Sequence, residues 1–106
     1  MFNTYQHASI YESRITSAQL HYQAIGQTVF VVGMFNLPNA ASANSALATG
    51  FPTPNWSIGA IISGYKGGTD NTSQSFYINV SGSLCVSGDK AAAAGWYSFS
   101  GFYYSA

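Results

Sequence analysis

The sequence predicts an all-β domain, a small antiparallel β-sandwich or barrel of about six to eight short strands. Three observations carry that expectation. Several runs alternate between apolar and polar residues with a period of two, the mark of a strand with one buried face. Gly, Asn, Asp, Ser and Pro separate those runs at short intervals. Helix signals almost vanish: the only good helix formers in a row are Lys90 to Ala94, too few to nucleate a helix alone.

The elements follow in order. Ala8 to Ser13 is a weak opening strand. From Ile15 to Ile25 the chain alternates, with Thr16, Ala18, Leu20, Tyr22 and Ala24 on one face and Ser17, Gln19, His21 and Gln23 on the other. Gly26-Gln27 is a tight turn, and Thr28 to Leu37 returns with Val29, Phe30, Val31, Val32, Met34 and Phe35. This pair is the strongest hairpin in the chain. A polar loop follows Pro38, with at most one helical turn between Ala40 and Ala48. Leu47 to Pro54 is not expected to form a central strand, because Pro52 and Pro54 cannot donate to a ladder. Trp56 to Ser63 is the next strand, and Gly64 to Thr72, with three glycines, Asp70 and Asn71, is a loop. Gln74 to Val80 is a strand with Phe76, Ile78 and Val80 facing one way. Ser81-Gly82-Ser83 turns it into Leu84-Cys85-Val86, a second hairpin. Ser87 to Gly95 is a loop. Trp96 to Tyr104 closes the chain, with Tyr97, Phe99, Gly101 and Tyr103 on one face and Trp96, Ser98, Ser100 and Phe102 on the other.

Length and charge narrow the function. A chain of 106 residues is one domain's worth. Only 6% of its residues are charged, against about 25% in an ordinary soluble domain. Two explanations fit this deficit. The surface is covered by uncharged polar residues, in which the chain is rich, or part of it is buried in an oligomer. Three Lys and Arg residues in all are too few to track a phosphate backbone, so nucleic acid is not an expected partner. No apolar run is long enough to span a membrane as a helix, and the N-terminus lacks the pattern of a signal peptide. Cys85 has no second cysteine to pair with.

Catalytic constellations are missing. The two histidines are His7 and His21, and His21 sits in mid-strand, where a polar residue facing solvent or an interface is the ordinary reading. Asp70 and Asp89 are loop aspartates, which ordinarily shape turns. Metal ligands do not cluster, Cys85 reads as a small core residue, and Gly67-Gly68 lacks the helix and Lys-Ser/Thr of a phosphate cradle. No catalytic residue, metal or cofactor is therefore expected. What remains is aromatic: Phe, Trp and Tyr make up 16% of the chain. Their flat faces can stack on the apolar side of a sugar ring while nearby polar side chains bond its hydroxyls. Outside the expected core stand Trp56, Tyr65, Trp96, Tyr103 and Tyr104. The candidate ligand-binding set is Trp56, Tyr65, Asp70, Asn71, Asp89 and Trp96. Against it stands the plainer reading of the tryptophans as core or subunit-interface residues, of Tyr103 and Tyr104 as a closing edge strand, and of the loop polar residues as turn formers.

The segments Tyr22 to Val31, Leu47 to Pro52 (Leu-Ala-Thr-Gly-Phe-Pro), Phe76 to Leu84 and Gly95 to Tyr103 occur in an order that resembles the C-terminal receptor-binding head domain of bacteriophage tail-fibre and baseplate proteins. The resemblance covers roughly residues 15–104 and rests on the order of segments, each of which alone is a general β pattern. It implies a homotrimeric β-barrel or sandwich at the virion's tail tip, joined to upstream fibre or baseplate proteins. Such a protein is made in the bacterial cytoplasm and acts outside the cell, where it binds bacterial surface saccharide. On this view residues 1–14 are an N-terminal strand or a connection to a shaft, and residues 15–106 are the head domain. A three-fold contact also suits the polar, uncharged face carrying Gln19, His21 and Gln23, the candidate interface residues. The resemblance transfers no binding residue. Two other readings stand behind it: a structural trimerisation or capping domain without a ligand, and then a polysaccharide depolymerase, which would need a carboxylate pair.

Overall fold

The structure, a computed structural model, describes residues 6–7, 9–10, 14–56, 59–67 and 72–106, with the backbone alone described for 6, 7, 9 and 10. Its strands are β1 (Gln6–His7), β2 (Ser9–Ile10), β3 (Thr16–Ile25), β4 (Thr28–Leu37), β5 (Ala46–Thr49), β6 (Ala60–Lys66), β7 (Thr72–Ile78), β8 (Leu84–Val86) and β9 (Gly95–Tyr104). They form one antiparallel sheet in the order β1-β3-β4-β9-β6-β7-β8-β5-β2. A single residue separates β1 from β2 in the chain, yet they stand at opposite ends of this order. The sheet therefore curls until one short stretch of chain pairs with β3 on one side and β5 on the other. This is the all-β, barrel-like architecture that the alternating pattern predicts.

The expected β3–β4 hairpin forms, with Ile25 opposite Thr28. Gly26 sits at φ 61°, as the first central residue of a type II′ turn requires. β4 then pairs along its full length with β9, from Thr28 opposite Tyr104 to Leu37 opposite Gly95. Alternation sends Val29, Val31, Phe35 and Leu37 inward from β4, and Tyr97, Phe99 and Tyr103 inward from β9. Tyr103 thus belongs to the core and not to the exposed aromatics. Its hydroxyl donates to the Pro52 carbonyl at 2.7 Å.

The centre of the core is aromatic. Phe35 stacks on Tyr97 with ring centroids 5.6 Å apart. Phe76 meets Phe35 edge-on at 5.8 Å, and Phe99 lies 6.2 Å from Phe76. These rings need bare backbone beneath them. A Cβ added at Gly33 would fall 2.8 Å from the Phe99 ring, and one at Gly64 only 2.3 Å from Phe76. Both glycines are mid-strand, where a missing side chain lets a neighbouring ring lie over the backbone.

That role explains where β6 departs from expectation. Gly64 is a seat for Phe76 and not a turn, so β6 runs on to Lys66. At its other end β6 begins at Ala60 and not at Trp56. Gly59 adopts φ 88° and its amide donates to the Trp56 carbonyl at 3.0 Å, and residues 57–58 lie outside the described residues. Ala46–Thr49 is also a strand, lying between β8 and β2, contrary to the expectation drawn from the prolines. Pro52 and Pro54 fall beyond its last ladder position, so they remove no donor from it. Val80 faces solvent because β7 stops at Ile78. Asn79 ends it: its Oδ1 accepts from the amides of Ser81 and Ser83, both at 3.0 Å, a side chain standing in for the next ladder bond. The opening strand expected over Ala8 to Ser13 corresponds in part to β2, and Ala8 and residues 11–13 lie outside the described residues.

Gly64, within β6, and Gly67, just beyond its end, make a paired prediction. Gly64→Ala should cost about 1–3 kcal/mol by forcing the Phe76 ring from its seat. Gly67→Ala, where an added Cβ meets nothing within 4 Å, should leave stability unchanged within about 0.5 kcal/mol. Chemical denaturation of the two variants beside the parent checks both.

Candidate functional site

The inward turn of Phe76 forces its neighbours Ser75 and Tyr77 to the outer surface of β7. Two loops meet them there. After Val86 the chain enters Ser87-Gly88-Asp89, and the segment before β5 brings up Asn44. These loops are joined by backbone bonds from Asn44 N to Val86 O at 3.0 Å and from Val86 N to Ser45 O at 2.9 Å. Between them lies a cleft of about 500 Å³, lined by Asn44, Ile61, Ser75, Tyr77, Ser87 and Asp89, with Phe76 and Gly88 completing its wall.

Its polar groups are held in place. Tyr77 Oη donates to Asn44 Oδ1 at 2.9 Å. Asn44 occupies the left-handed region at φ 65°, a conformation asparagine tolerates better than most residues. Gly88 lies against the Asn44 side chain, where a Cβ would come 3.2 Å from Oδ1. The Asp89 loop is tied to β7 along its length. Ser87 N donates to Ser75 O at 3.1 Å, Lys90 Nζ to Ser73 O at 2.9 Å, and Gln74 Nε2 to Lys90 O at 3.0 Å. Gln74 is 3% exposed, a polar side chain spent inside the protein on anchoring this loop.

Behind the cleft, on β8, Cys85 stands opposite Tyr77. It is buried, as a small apolar residue should be, but lies outside the main core cluster. Its Sγ accepts from Asn79 Nδ2 at 3.5 Å. Burial pushes the Cys85 thiol above its ordinary value, partly offset by the neighbouring Tyr77 hydroxyl. Burial likewise pushes the Tyr77 phenol up, and Cys85 beside it adds to the shift. Both groups are therefore neutral in the folded protein at physiological pH. Among the described residues no group of three His, Cys, Asp or Glu side chains could hold a metal ion.

The structure separates the residues that sequence chemistry groups. Asp89 lines the cleft. Trp56 lines a second, apolar depression of about 350 Å³ with Ile61, Phe102 and Tyr104. Tyr65 is on the outer face of β6, opposite Ser73 and Ser98. Trp96 opens β9 opposite Asn36. Trp96 and Tyr104 are at the two ends of that strand, a distance of roughly 26 Å at the usual rise per residue. Trp56 and Trp96 cannot share one ligand ring. Asp70 and Asn71 lie outside the described residues. Asn44 and Tyr77, the best-held polar groups of the cleft, escape sequence reasoning because they meet only through tertiary structure. The outward position of Tyr77 in its alternation is the one local signal. Gln19, His21 and Gln23 lie on the outer face of β3, opposite Met34, Val32 and Phe30 respectively.

Comparison with solved structures finds the same fold in the receptor-binding head domain of the lactococcal phage bIL170. The TM-score is 0.68 at 14% sequence identity, covering 97% of this chain and 98% of that one. The fold implied by the sequence resemblance is thus the fold observed, over almost all of both chains. No protein-family model matches the sequence. No curated protein matches it either.

The raised thiol and phenol give a pH prediction with a definite sign. Folding holds both protons more tightly than the unfolded chain does, so unfolding releases them. Their contribution to stability is full below the ordinary thiol value of 9.0 and is lost as pH rises through the higher folded values. Denaturation between about pH 8 and 11 should show stability falling. Cys85→Ala should flatten the first part of that fall, and in the folded parent at pH 8 the thiol should react with a disulfide reagent far more slowly than in denaturant.

Proposed function

We propose that this chain is the receptor-binding tip of a bacteriophage tail fibre or baseplate protein. It recognises bacterial cell-surface saccharide and binds it without enzymatic turnover. The observation that carries this reading is the shared head-domain fold, which spans nearly the full length of both chains. The cleft supports it. A volume of about 500 Å³ suits a small ligand, and it combines hydroxyls, an amide and a carboxylate with the apolar surfaces of Ile61 and Tyr77. On this reading the protein is a virion component that acts outside the host cell, attached to upstream fibre or baseplate proteins.

The same reading makes the head a homotrimer. The outer face of β3, β4 and β9 supports self-association: Phe30, Val32 and Met34 on β4 and Phe102 and Tyr104 on β9 are all exposed, and none of their cross-strand neighbours on this face is charged. A contiguous apolar patch of this kind marks a contact surface more often than a free one. Gln19, His21 and Gln23 form its polar margin, as the rim of an interface does. A structural capping domain would use the same face, and the cleft is what distinguishes the two readings.

Sedimentation at micromolar concentration should give a mass about three times the 11.2 kDa of one chain. Val32→Lys or Phe102→Glu should shift it toward monomer. The parent protein should sediment with susceptible bacteria or their isolated wall polysaccharide. A capping domain would trimerise equally well and bind neither.

A further inference from the structure

The cleft is unbalanced in its hydrogen-bonding groups, and the imbalance points to the kind of saccharide it takes. Asp89 is exposed, and its carboxylate makes no ion pair or hydrogen bond among the described residues. It can only accept. Tyr77 Oη already directs its proton to Asn44 Oδ1, so it too has only lone pairs left to offer a ligand. Ser87 Oγ donates toward the Lys90 carbonyl, which leaves it as an acceptor. Asn44 Nδ2 has no partner among the described residues and supplies the cleft's two free amide hydrogens. Ser75 can act either way. None of Arg14, Lys66 and Lys90 lines the cleft, and the Lys90 ammonium is engaged by the Ser73 carbonyl.

A site rich in acceptors and carrying one negative charge suits a ligand that brings donors. From this, and resting on the saccharide-binding reading above, we infer that the cleft selects a neutral pyranose with two adjacent free hydroxyls and rejects uronic acids and phosphorylated sugars. The two Asp89 oxygens accept from the neighbouring hydroxyls, bonds strengthened by the charge of the acceptor. Asn44 Nδ2 donates to a ring or hydroxyl oxygen. Ile61, whose side chain is 78% exposed at the cleft wall, covers the C–H face of the ring. A carboxylate or phosphate on the sugar brings only acceptors, finds too few donors, and meets Asp89 as a like charge. Asn44 is placed for this by its left-handed backbone and the Tyr77 bond, so the donor is in position before the ligand arrives.

The test is a titration of the full chain, followed by amide NMR, with methyl hexopyranosides of glucose, galactose and mannose, the matching uronates and the matching 6-phosphates. At least one neutral sugar should shift the signals of Asn44, Tyr77 and Asp89, while its uronate and phosphate do so at least about tenfold more weakly. Asp89→Asn should weaken neutral-sugar binding about tenfold or more without changing the melting temperature. Asp89→Lys should reverse the preference toward the anionic sugars. Equal or tighter binding of the uronate or phosphate by the parent protein would overturn the inference. So would neutral-sugar or wall-polysaccharide binding that survives Asp89→Asn unchanged, an outcome that leaves the receptor-binding reading standing. A parent protein that binds no sugar of the panel and no wall polysaccharide would overturn both.

Discussion

Four packed aromatic rings, two of them seated over bare backbone, hold this sheet in its curled shape. Phe35, Phe76, Tyr97 and Phe99 come from β4, β7 and β9, and they approach one another closely because Gly33 and Gly64 present no side chain beneath them. Each buried Phe contributes about 1.5–3 kcal/mol from burial, and each ring pair about 0.5–1.5 kcal/mol more. The larger consequence is register. A one-residue slip of β4 on β9 would lift Gly33 from beneath Phe99 and turn the aromatic faces outward. The glycines therefore act as positional keys as well as spaces.

The same cluster sets the outer surface. With Phe76 locked inward, Ser75 and Tyr77 must face out, and with Ile62 inward, Ile61 must stand at the cleft wall. Gln74, inward on the same strand, reaches the Lys90 carbonyl and fixes the loop that carries Asp89. A chain of causes runs from a packing constraint in the core to the placement of a carboxylate on the surface. It also explains why a loop residue can take part in a defined site: the loop is anchored to β7 at Ser87, at Lys90 and through Gln74.

Local alternation makes the long strands legible in the sequence itself. The β3–β4 hairpin and β9 can be read directly, because each has one buried face and a run long enough to show its period. Features that depend on distant residues are not legible. Gly64 looks like a turn residue until Phe76 is placed over it. Ala46–Thr49 is too short to show a period, and the prolines beyond it suggest a loop. The site is the least legible part. Exposed aromatics are the visible cue, but Trp56 and Trp96 are at opposite ends of the barrel. Of the expected ligand set Asp89 is the residue that lines the cleft, while Asn44, 33 residues before Tyr77 in the chain, gives no local sign.

The scarcity of charge, the first unusual property of the sequence, takes on a spatial form in the fold. The outer face is divided along its width. On β4 and β9 it carries Phe30, Val32, Met34 and Phe102, while toward β6 and β7 it carries the hydroxyls of Ser63, Ser73, Ser75, Ser98 and Ser100. In the trimer proposed above, a charge within the apolar half would have to be desolvated, at a cost of several kcal/mol. In the hydroxyl half a lysine or arginine at Ser75, which lines the cleft with Asp89, would lie within reach of that carboxylate and satisfy it internally. Neutrality thus has two separate consequences on one sheet: it leaves the apolar half without a charge, and it leaves the carboxylate of the cleft without a partner among the described residues. Lys90, the residue next to Asp89, shows the second most directly, since its ammonium is drawn away to the carbonyl of Ser73.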